Sequence, residues 1–347
     1  MRRCAVFGTG SWGTAMSIVL SDAGNEVVMV GRRPDQVAAI NAGHENAEYT
    51  PGVRLPDAVR ATTDPGEALD GAEFAFLSVP AQTLRQNLSA WSRLVGPDTV
   101  LVSLMKGLEV GTAKRMTEVI EEVMNEATAR GGATGRNSGR ERVAVLSGPN
   151  LSLEIARRQP AASVVASRDE DVARHLQTAT NGPYFRTYTG SDVTGVELGG
   201  VVKNVIGLAV GIADGMGLGD NTKATLITRG LAETARLGAA LGADPYTFAG
   251  LAGMGDLVAT CASPLSRNRM FGVYLGRGLT LEQAQAEVKQ TAEGVKSCEA
   301  VLELAERHGV EMPIAETVVA IVHDGRSPGE MLKELMTRPL KAERHGH

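Results

Sequence analysis

The stretch Cys4-Ala5-Val6-Phe7-Gly8-Thr9-Gly10-Ser11-Trp12-Gly13-Thr14-Ala15 constrains this chain more than any other. A short apolar run meets three glycines at G-x-G-x-x-G spacing and passes at once into a helical pattern, with a second strand at Glu26-Val27-Val28-Met29-Val30. Gly8 permits a sharp turn out of the strand. Gly10 has no side chain to hold a pyrophosphate off the backbone, and Gly13 lets the new helix pack closely on the strand. The unpaired N–H groups of the helix's first turn then face an anion. Such a fingerprint alone also occurs as an ordinary turn; the strand before it and the helix after it make it a dinucleotide site.

Gly31-Arg32-Arg33 follows the second strand, where an NAD-binding chain usually carries Asp or Glu for the ribose hydroxyls. A carboxylate repels a 2′-phosphate, whereas a guanidinium binds it through two parallel hydrogen bonds. Two arginines can equally solvate a loop. The residue types favour NADP as cofactor, with NAD as the second choice.

A length of 347 residues suggests about two domains with large cores. Hydrophobic content of 43% and charged content of 22% are those of a globular protein in water. The net charge of -5 makes no electrostatic case for nucleic acid or an anionic membrane, though a local basic site can still hold an anionic substrate. Cys4, Cys261 and Cys298 are odd in number and form no C-x-x-C pair, which argues against a disulfide framework or structural zinc and fits a reducing cytoplasm. No metal-ligand set is visible. Met1-Arg2-Arg3 imitates the basic start of a signal peptide, but Gly8, Gly10 and Gly13 break the apolar run behind it, so no export segment is expected.

The first half alternates strand-like and helix-like stretches. Further strands are predicted at Phe74–Val79, Thr99–Leu104, Val143–Ser147 and Ala161–Ala166, with a helix over Thr112–Arg130. Near-continuous apolar strands suit a parallel sheet covered on both faces, a doubly wound α/β pattern whose ligands sit at the carboxyl ends of the strands. Residues 131–142 have no apolar periodicity and read as a mobile surface loop. From Val193 the chain reads as all helix. Val193–Ala213 is long and apolar enough to resemble a membrane span, but Glu197, Lys203 and Asn204 make that costly, and it reads as the central helix of an α-helical domain. A second buried helix is predicted at Ala224–Leu241, and amphipathic ones at Glu293–His308 and Pro313–His323. The expected architecture is an N-terminal Rossmann-type doubly wound sheet over 1–190, an all-α C-terminal domain over 191–340 and a charged tail over 341–347.

Lys203 lies inside the apolar helix, in Gly199-Gly200-Val201-Val202-Lys203-Asn204-Val205-Ile206-Gly207. A buried ammonium is expensive unless paired, and burial lowers a lysine pKa toward useful acid–base range. It pairs with Glu197, reaches a helix end, or does chemistry; the small flanking residues favour chemistry. Lys106 stands just past a predicted strand, at the sheet's carboxyl edge. Asp256 stands among small and apolar residues, as a helix cap or as a site carboxylate. Ser266-Arg267-Asn268-Arg269 suits a phosphate, because an arginine fork gives two bonds and Ser and Asn add donors. Ser266 also suits a helix cap, and a helix N-terminus itself favours an anion.

Taken together, these segments resemble the bacterial NAD(P)-dependent sn-glycerol-3-phosphate dehydrogenases. The motifs are Gly-Thr-Gly-Ser-Trp-Gly-Thr-Ala at 8–15, Lys-Gly-Leu-Glu at 106–109, Ser-Gly-Pro at 147–149 and Gly-Gly-Val-Val-Lys-Asn-Val-Ile at 199–206. Ile-Thr-Arg-Gly-Leu-Ala-Glu at 227–233, Gly-Asp-Leu-Val at 255–258, Ser-Arg-Asn-Arg at 266–269 and Ala-Glu-Gly at 292–294 complete them. The resemblance spans nearly the whole chain. It implies reduction of dihydroxyacetone phosphate to sn-glycerol 3-phosphate for phospholipid synthesis, with Lys203 as proton donor and acceptor. It implies a substrate set of Lys106, Gly148, Asn150, Lys203, Asn204, Asp256, Ser266, Arg267 and Asn268. The implied cofactor set is Gly8, Gly10, Ser11, Trp12, Gly13, Arg32, Arg33, Lys106, Ser152, Arg267 and Glu293. Three departures stand out: Asn150-Leu151 where the family more often has Thr-Phe, Trp12 where Tyr or Phe is commoner, and a longer loop at 131–142. A homodimer in the cytoplasm is expected. A related enzyme oxidising a β-hydroxy acid and a non-catalytic NADP sensor are the alternatives to be separated from this reading.

Overall fold

The computed structural model describes residues 1–129, 142–288, 292–340 and 342–343. Short runs rich in Val, Ala and Phe form eight strands: β1 (Arg3–Phe7), β2 (Glu26–Val30), β3 (Val59–Thr62), β4 (Phe74–Leu77), β5 (Val100–Ser103), β6 (Val143–Ser147), β7 (Ala161–Ser167) and β8 (Phe185–Gly190). They make one sheet in the order β3-β2-β1-β4-β5-β6-β7-β8. All neighbours run parallel except β6 and β7, which are antiparallel. Side chains alternate between two cores. Cys4, Val6, Met29 and Phe76 pack on one face, and Ala5, Phe7, Val28 and Leu77 on the other. The order reverses between β1 and β4, which opens a crevice at their carboxyl ends.

Two strands go beyond the six expected. β3 has only four residues, and β8 alternates buried Phe185 and Thr187 with exposed Arg186 and Tyr188, the pattern of an edge strand with one solvated face. The predicted helix over Thr112–Arg130 is observed at Met116–Ala129. Gly111 and Ala113 have left-handed backbones, and the turn they make closes on a bridge between Leu108 and Arg115, so no helix can begin before Met116. Arg130 and the loop of 131–142 lie outside the described residues, apart from Arg142, which pairs with Asp98 at 2.7 Å.

After β8 the described residues form helices alone. Asp192 caps the long helix Val193–Gly215 by accepting from Gly195 N at 2.8 Å, and it also accepts from Thr247 Oγ1 at 2.7 Å. This helix is long and apolar enough to cross a membrane, yet 94% of its apolar window is buried inside the protein. The next helix starts earlier than predicted, at Asp220, and runs to Ala240. It is buried on one face only, through Gly230, Glu233, Thr234, Leu237 and Gly238, because Ala224, Thr225 and Thr228 face solvent.

The central helix meets the helix Arg267–Gly276 backbone to backbone. A Cβ on Gly211 would lie 2.0 Å from the carbonyl oxygen of Arg269, and one on Gly272 would lie 2.2 Å from that of Leu208. Gly215 and Gly276 repeat the contact one turn on. Only glycine permits this approach, and it fixes the register of Arg267 and Asn268 against Lys203. Gly211→Ala therefore forces the helices apart. Overpacking of this kind costs about 1–3 kcal/mol, and differential scanning calorimetry is expected to show a fall of several degrees in the unfolding midpoint, with an unchanged midpoint refuting the packing argument.

Candidate active site

The glycine-rich turn is set by close contacts. Gly8 has φ +114°, and a Cβ there would lie 2.4 Å from the carbonyl oxygen of Ser78 on the neighbouring strand's exit. A Cβ on Gly13 would lie 2.0 Å from the carbonyl oxygen of Gly8, whereas the Cβ position of Gly10 opens onto free space. The turn thus has two glycines where atoms would collide and one where a ligand's phosphates can approach. Ser11 begins the helix Ser11–Asp22, so its first-turn N–H groups point into the same opening. Trp12 Nε1 is buried with no hydrogen-bond partner among the described residues. These features fit a dinucleotide.

Behind the turn, Asn46 Nδ2 donates to Thr9 O and Thr14 Oγ1, both at 2.8 Å. Thr9 Oγ1 donates to Gln36 Oε1 at 2.7 Å. Arg32 and Arg33 follow β2 at the outer end of the crevice. Arg32 is exposed, and Arg33 is paired with Glu48.

At the inner end three charged side chains from three segments converge. Lys106, just past β5, donates to Asp256 Oδ2 at 2.6 Å and to Gly148 O at 2.9 Å. Lys203, from the central helix, donates to Asp256 Oδ1 at 2.5 Å and to Thr260 Oγ1 at 2.7 Å. Asp256 is only 1% exposed, and each lysine side chain 11%. Lys203 does not pair with Glu197, which instead accepts from Arg115 at 2.8 Å and from Thr117. Asn204 Nδ2 donates to Lys106 O at 3.1 Å and ties the central helix to the end of β5. Gly200 lets that helix come so close that a Cβ would meet Ser147 Oγ at 2.8 Å and the Lys106 stem at 3.4 Å.

Burial, reinforced by the charge of Lys203, pushes the Lys106 ammonium down to about 8, with Asp256 opposing the fall. A lysine whose pKa is lower folded than unfolded disfavours folding while it is charged. That penalty is full below about 8 and is relieved as the pH rises from there toward 10.5. Burial also raises the Glu293 carboxyl, and the charges of Arg267, Lys106 and Lys203 partly oppose it, so Glu293 belongs to the same electrostatic cluster.

The walls complete the site. Gly148 takes φ +154° at the end of β6. Asn150 Oδ1 accepts from Ser163 Oγ at 2.6 Å, while Asn150 Nδ2 and Ser147 Oγ are buried with no partner among the described residues. Ser152 opens the short helix Ser152–Ala156. Ser266 caps the helix Arg267–Gly276 by accepting from Arg269 N at 3.3 Å, and Asn268 Oδ1 accepts from Gly294 N at 2.9 Å. Arg267 begins that helix, and its charge also reaches Tyr49 of the first domain.

The structure therefore joins Lys106, Gly148, Lys203, Asn204 and Asp256 by direct hydrogen bonds and sets Arg267 and Glu293 within electrostatic reach. Arg33 pairs with Glu48 and not with this cluster, and Arg33 and Arg267 both lie within electrostatic reach of Tyr49. Sequence reasoning missed Thr260 as a partner of Lys203, although it lies four residues after Asp256 and so on the same helix face. Ser147, although part of the Ser-Gly-Pro motif at 147–149, was not among the expected contacts, and Glu48 was missed because no spacing in the sequence announces it.

A Rossmann-type sheet with an open glycine turn, joined to a helical domain whose Lys203 and buried Asp256 meet Lys106 at the sheet's edge, defines a nicotinamide-dependent dehydrogenase. The chain belongs to the NAD-dependent glycerol-3-phosphate dehydrogenase family: the family's N-terminal model matches residues 3–173 and its C-terminal model residues 192–333. It is 64% identical over 342 residues to a glycerol-3-phosphate dehydrogenase (NAD(P)+) of Streptomyces griseus, covering 99% of this chain and 98% of that one. It is 59% identical over 347 residues to that of Thermobifida fusca, covering 100% of both. The crystal structure of glycerol-3-phosphate dehydrogenase from Coxiella burnetii superposes with a TM-score of 0.89 at 35% identity, over 97% of this chain and 99% of that one. A D-mandelate dehydrogenase shares the fold alone, with a TM-score of 0.59 at 12% identity.

Asp256 is the common counter-charge, so Asp256→Asn leaves two buried ammoniums facing each other. Removing one partner of a buried pair costs on the order of 3–5 kcal/mol. The variant is expected to unfold at lower temperature, and Lys106, titrated by NMR of its side-chain carbon, to lose its proton below the wild-type value. An unchanged titration would show that Asp256 does not hold the pair.

Proposed function

We propose that the chain interconverts dihydroxyacetone phosphate and sn-glycerol 3-phosphate, with NADPH as preferred and NADH as second cofactor and with Lys203 as the proton donor and acceptor. Membership of the family settles the reaction class over the hydroxy-acid and sensor readings. The observation that carries the site assignment is the convergence of Lys203 and Lys106 on the two oxygens of Asp256.

The bound nicotinamide supplies the hydride. Gly8, Gly10, Ser11, Trp12 and Gly13 would hold the cofactor's pyrophosphate region, Arg32 and Arg33 its 2′-phosphate, and Lys106, Ser152, Arg267 and Glu293 the remainder. Lys203 Nζ gives a proton to the alkoxide that forms at the substrate's carbonyl oxygen and takes it back in reverse. The two ammoniums stabilise that oxygen as its charge grows, and they act strongly because the site is buried. Asp256 and Thr260 orient Lys203. Ser266, Arg267 and Asn268 hold the phosphate at a helix N-terminus, which positions the carbonyl. Gly148, Asn150 and Asn204 complete the substrate wall.

The division at 1–190 and 191–340, with a tail over 341–347, is supported by β8 ending at Gly190 and Asp192 capping the next helix. A homodimer is supported by the exposed apolar side chains of Met254, Val258 and Leu265 on the helical domain. A cytoplasmic location is supported by three buried free thiols.

Loss of NADPH absorbance on addition of dihydroxyacetone phosphate, faster than the loss of NADH run in parallel, is the expected result; no loss with either cofactor, from folded and cofactor-bound protein, overturns the reaction. Lys203→Ala is expected to cut turnover by about 10²-fold or more while leaving the cofactor dissociation constant nearly unchanged. Near-normal turnover in that variant would remove Lys203 from the proton step.

A further inference from the structure

A carboxylate is missing from the end of β2, where Gly31-Arg32-Arg33 stands, but one arrives from elsewhere. Helix Pro34–Gly43 ends at His44, whose left-handed backbone (φ 46°) turns the chain back toward the crevice. Four residues later Glu48 pairs with Arg33, and Asp35 lies 3.9 Å from the same guanidinium. The segment carrying Glu48 is pinned. Asn46 is 2% exposed, donates to Thr9 O and Thr14 Oγ1 in the glycine turn, and its own carbonyl accepts from Tyr49 N at 3.0 Å and Thr50 N at 2.8 Å. Gln36 Nε2 adds a bond to Asn46 Oδ1 at 3.3 Å. Glu48 thus rides on the same polar frame as the pyrophosphate turn, and its place opposite Arg33 is set by that frame.

We propose that Glu48 sets the cofactor preference by competing with the 2′-phosphate for Arg33. This rests on the reading of Arg33 as a 2′-phosphate ligand. The pair is open to water, with side chains 52% and 46% exposed, so it is weak and exchangeable. A phosphate carries more charge than a carboxylate and takes the arginine fork in two parallel bonds, so it can displace Glu48. Displacement costs the existing pair and leaves a carboxylate beside the phosphate. NADH, lacking that phosphate, leaves the pair intact. Glu48 therefore narrows the difference between the two cofactors and keeps both usable by one site.

The test is fluorescence titration of NADPH and NADH on the full-length protein without substrate, at one low ionic strength, for wild type, Glu48→Gln, Arg33→Ala and the double variant. Glu48→Gln is expected to raise the ratio of NADPH to NADH affinity by about threefold to fivefold, the scale of an exposed ion pair. Arg33→Ala is expected to lower that ratio, and in its background Glu48→Gln is expected to raise it by less than in the wild type. If Arg33→Ala lowers the ratio while Glu48→Gln leaves it within twofold of wild type, the role of Glu48 is wrong and that of Arg33 stands. If Arg33→Ala leaves the ratio unchanged, the reading of Arg33 fails and the role of Glu48 with it.

Discussion

One buried carboxylate holds the candidate site of this molecule together. Asp256 offers one oxygen to Lys106, from the first domain, and the other to Lys203, from the second. Neither ammonium is tolerable so deep without a counter-charge, and a single carboxylate neutralises only one of the two. Two ammoniums against one carboxylate give the pocket a local cationic bias, with Arg267 and Glu293 in electrostatic reach of each other. The chain as a whole carries -5, so the total charge conceals what the site prefers. The same hydrogen bonds that pair the two lysines with Asp256 also tie the segment after β5 to the central helix, so the proposed chemistry and the cohesion of the fold share one contact.

That contact requires backbones closer than ordinary side chains permit. At Gly199 a Cβ would lie 2.4 Å from the carbonyl oxygen of Ala252, just before Asp256, and at Gly200 it would strike Ser147 Oγ. Two turns further along the central helix Gly207 faces Thr260 and Asn268, and one turn beyond that Gly211 faces the backbone of Arg269. The glycines of the central helix thus act as a gauge that sets the distance from Lys203 to Asp256 on one side and to the Ser266–Arg269 cluster on another. Their cost in helix propensity, roughly 1 kcal/mol each, is met by tertiary packing on almost every side of that helix.

Much of this was legible in the sequence where a residue type contradicts its surroundings. The glycine turn, the lysine inside an apolar helix and the aspartate among small residues each break a local rule, and each marks the site. The six strands between the two edges read as apolar runs. The edge strands β3 and β8 did not, because β3 is short and β8 carries Arg186, Thr187 and Tyr188. The turn at Gly111 and Ala113, which delays the helix to Met116, depends on backbone closure that no propensity encodes. Pairing was the least legible property. Lys203 has Glu197 six residues before it in the chain, but the fold gives Glu197 to Arg115 and gives Lys203 an aspartate 53 residues away.

Arg33 with Glu48, and Lys203 with Asp256, are both cation–carboxylate pairs, yet the fold makes them different instruments. Asp256 is 1% exposed and Glu48 46%. Around Asp256 burial strips water from the charges, which lowers the Lys106 ammonium to about 8 even though Asp256 opposes the fall. Around Glu48 water screens the pair, so its partner can change with little resistance. The proton transfer proposed for Lys203 needs charges that do not move, because a donor out of place contributes nothing to the barrier. An adenosine end that takes both cofactors, as proposed for Arg33, needs charges that exchange. The crevice supplies one environment at each end, through nothing more than the depth at which each pair is buried.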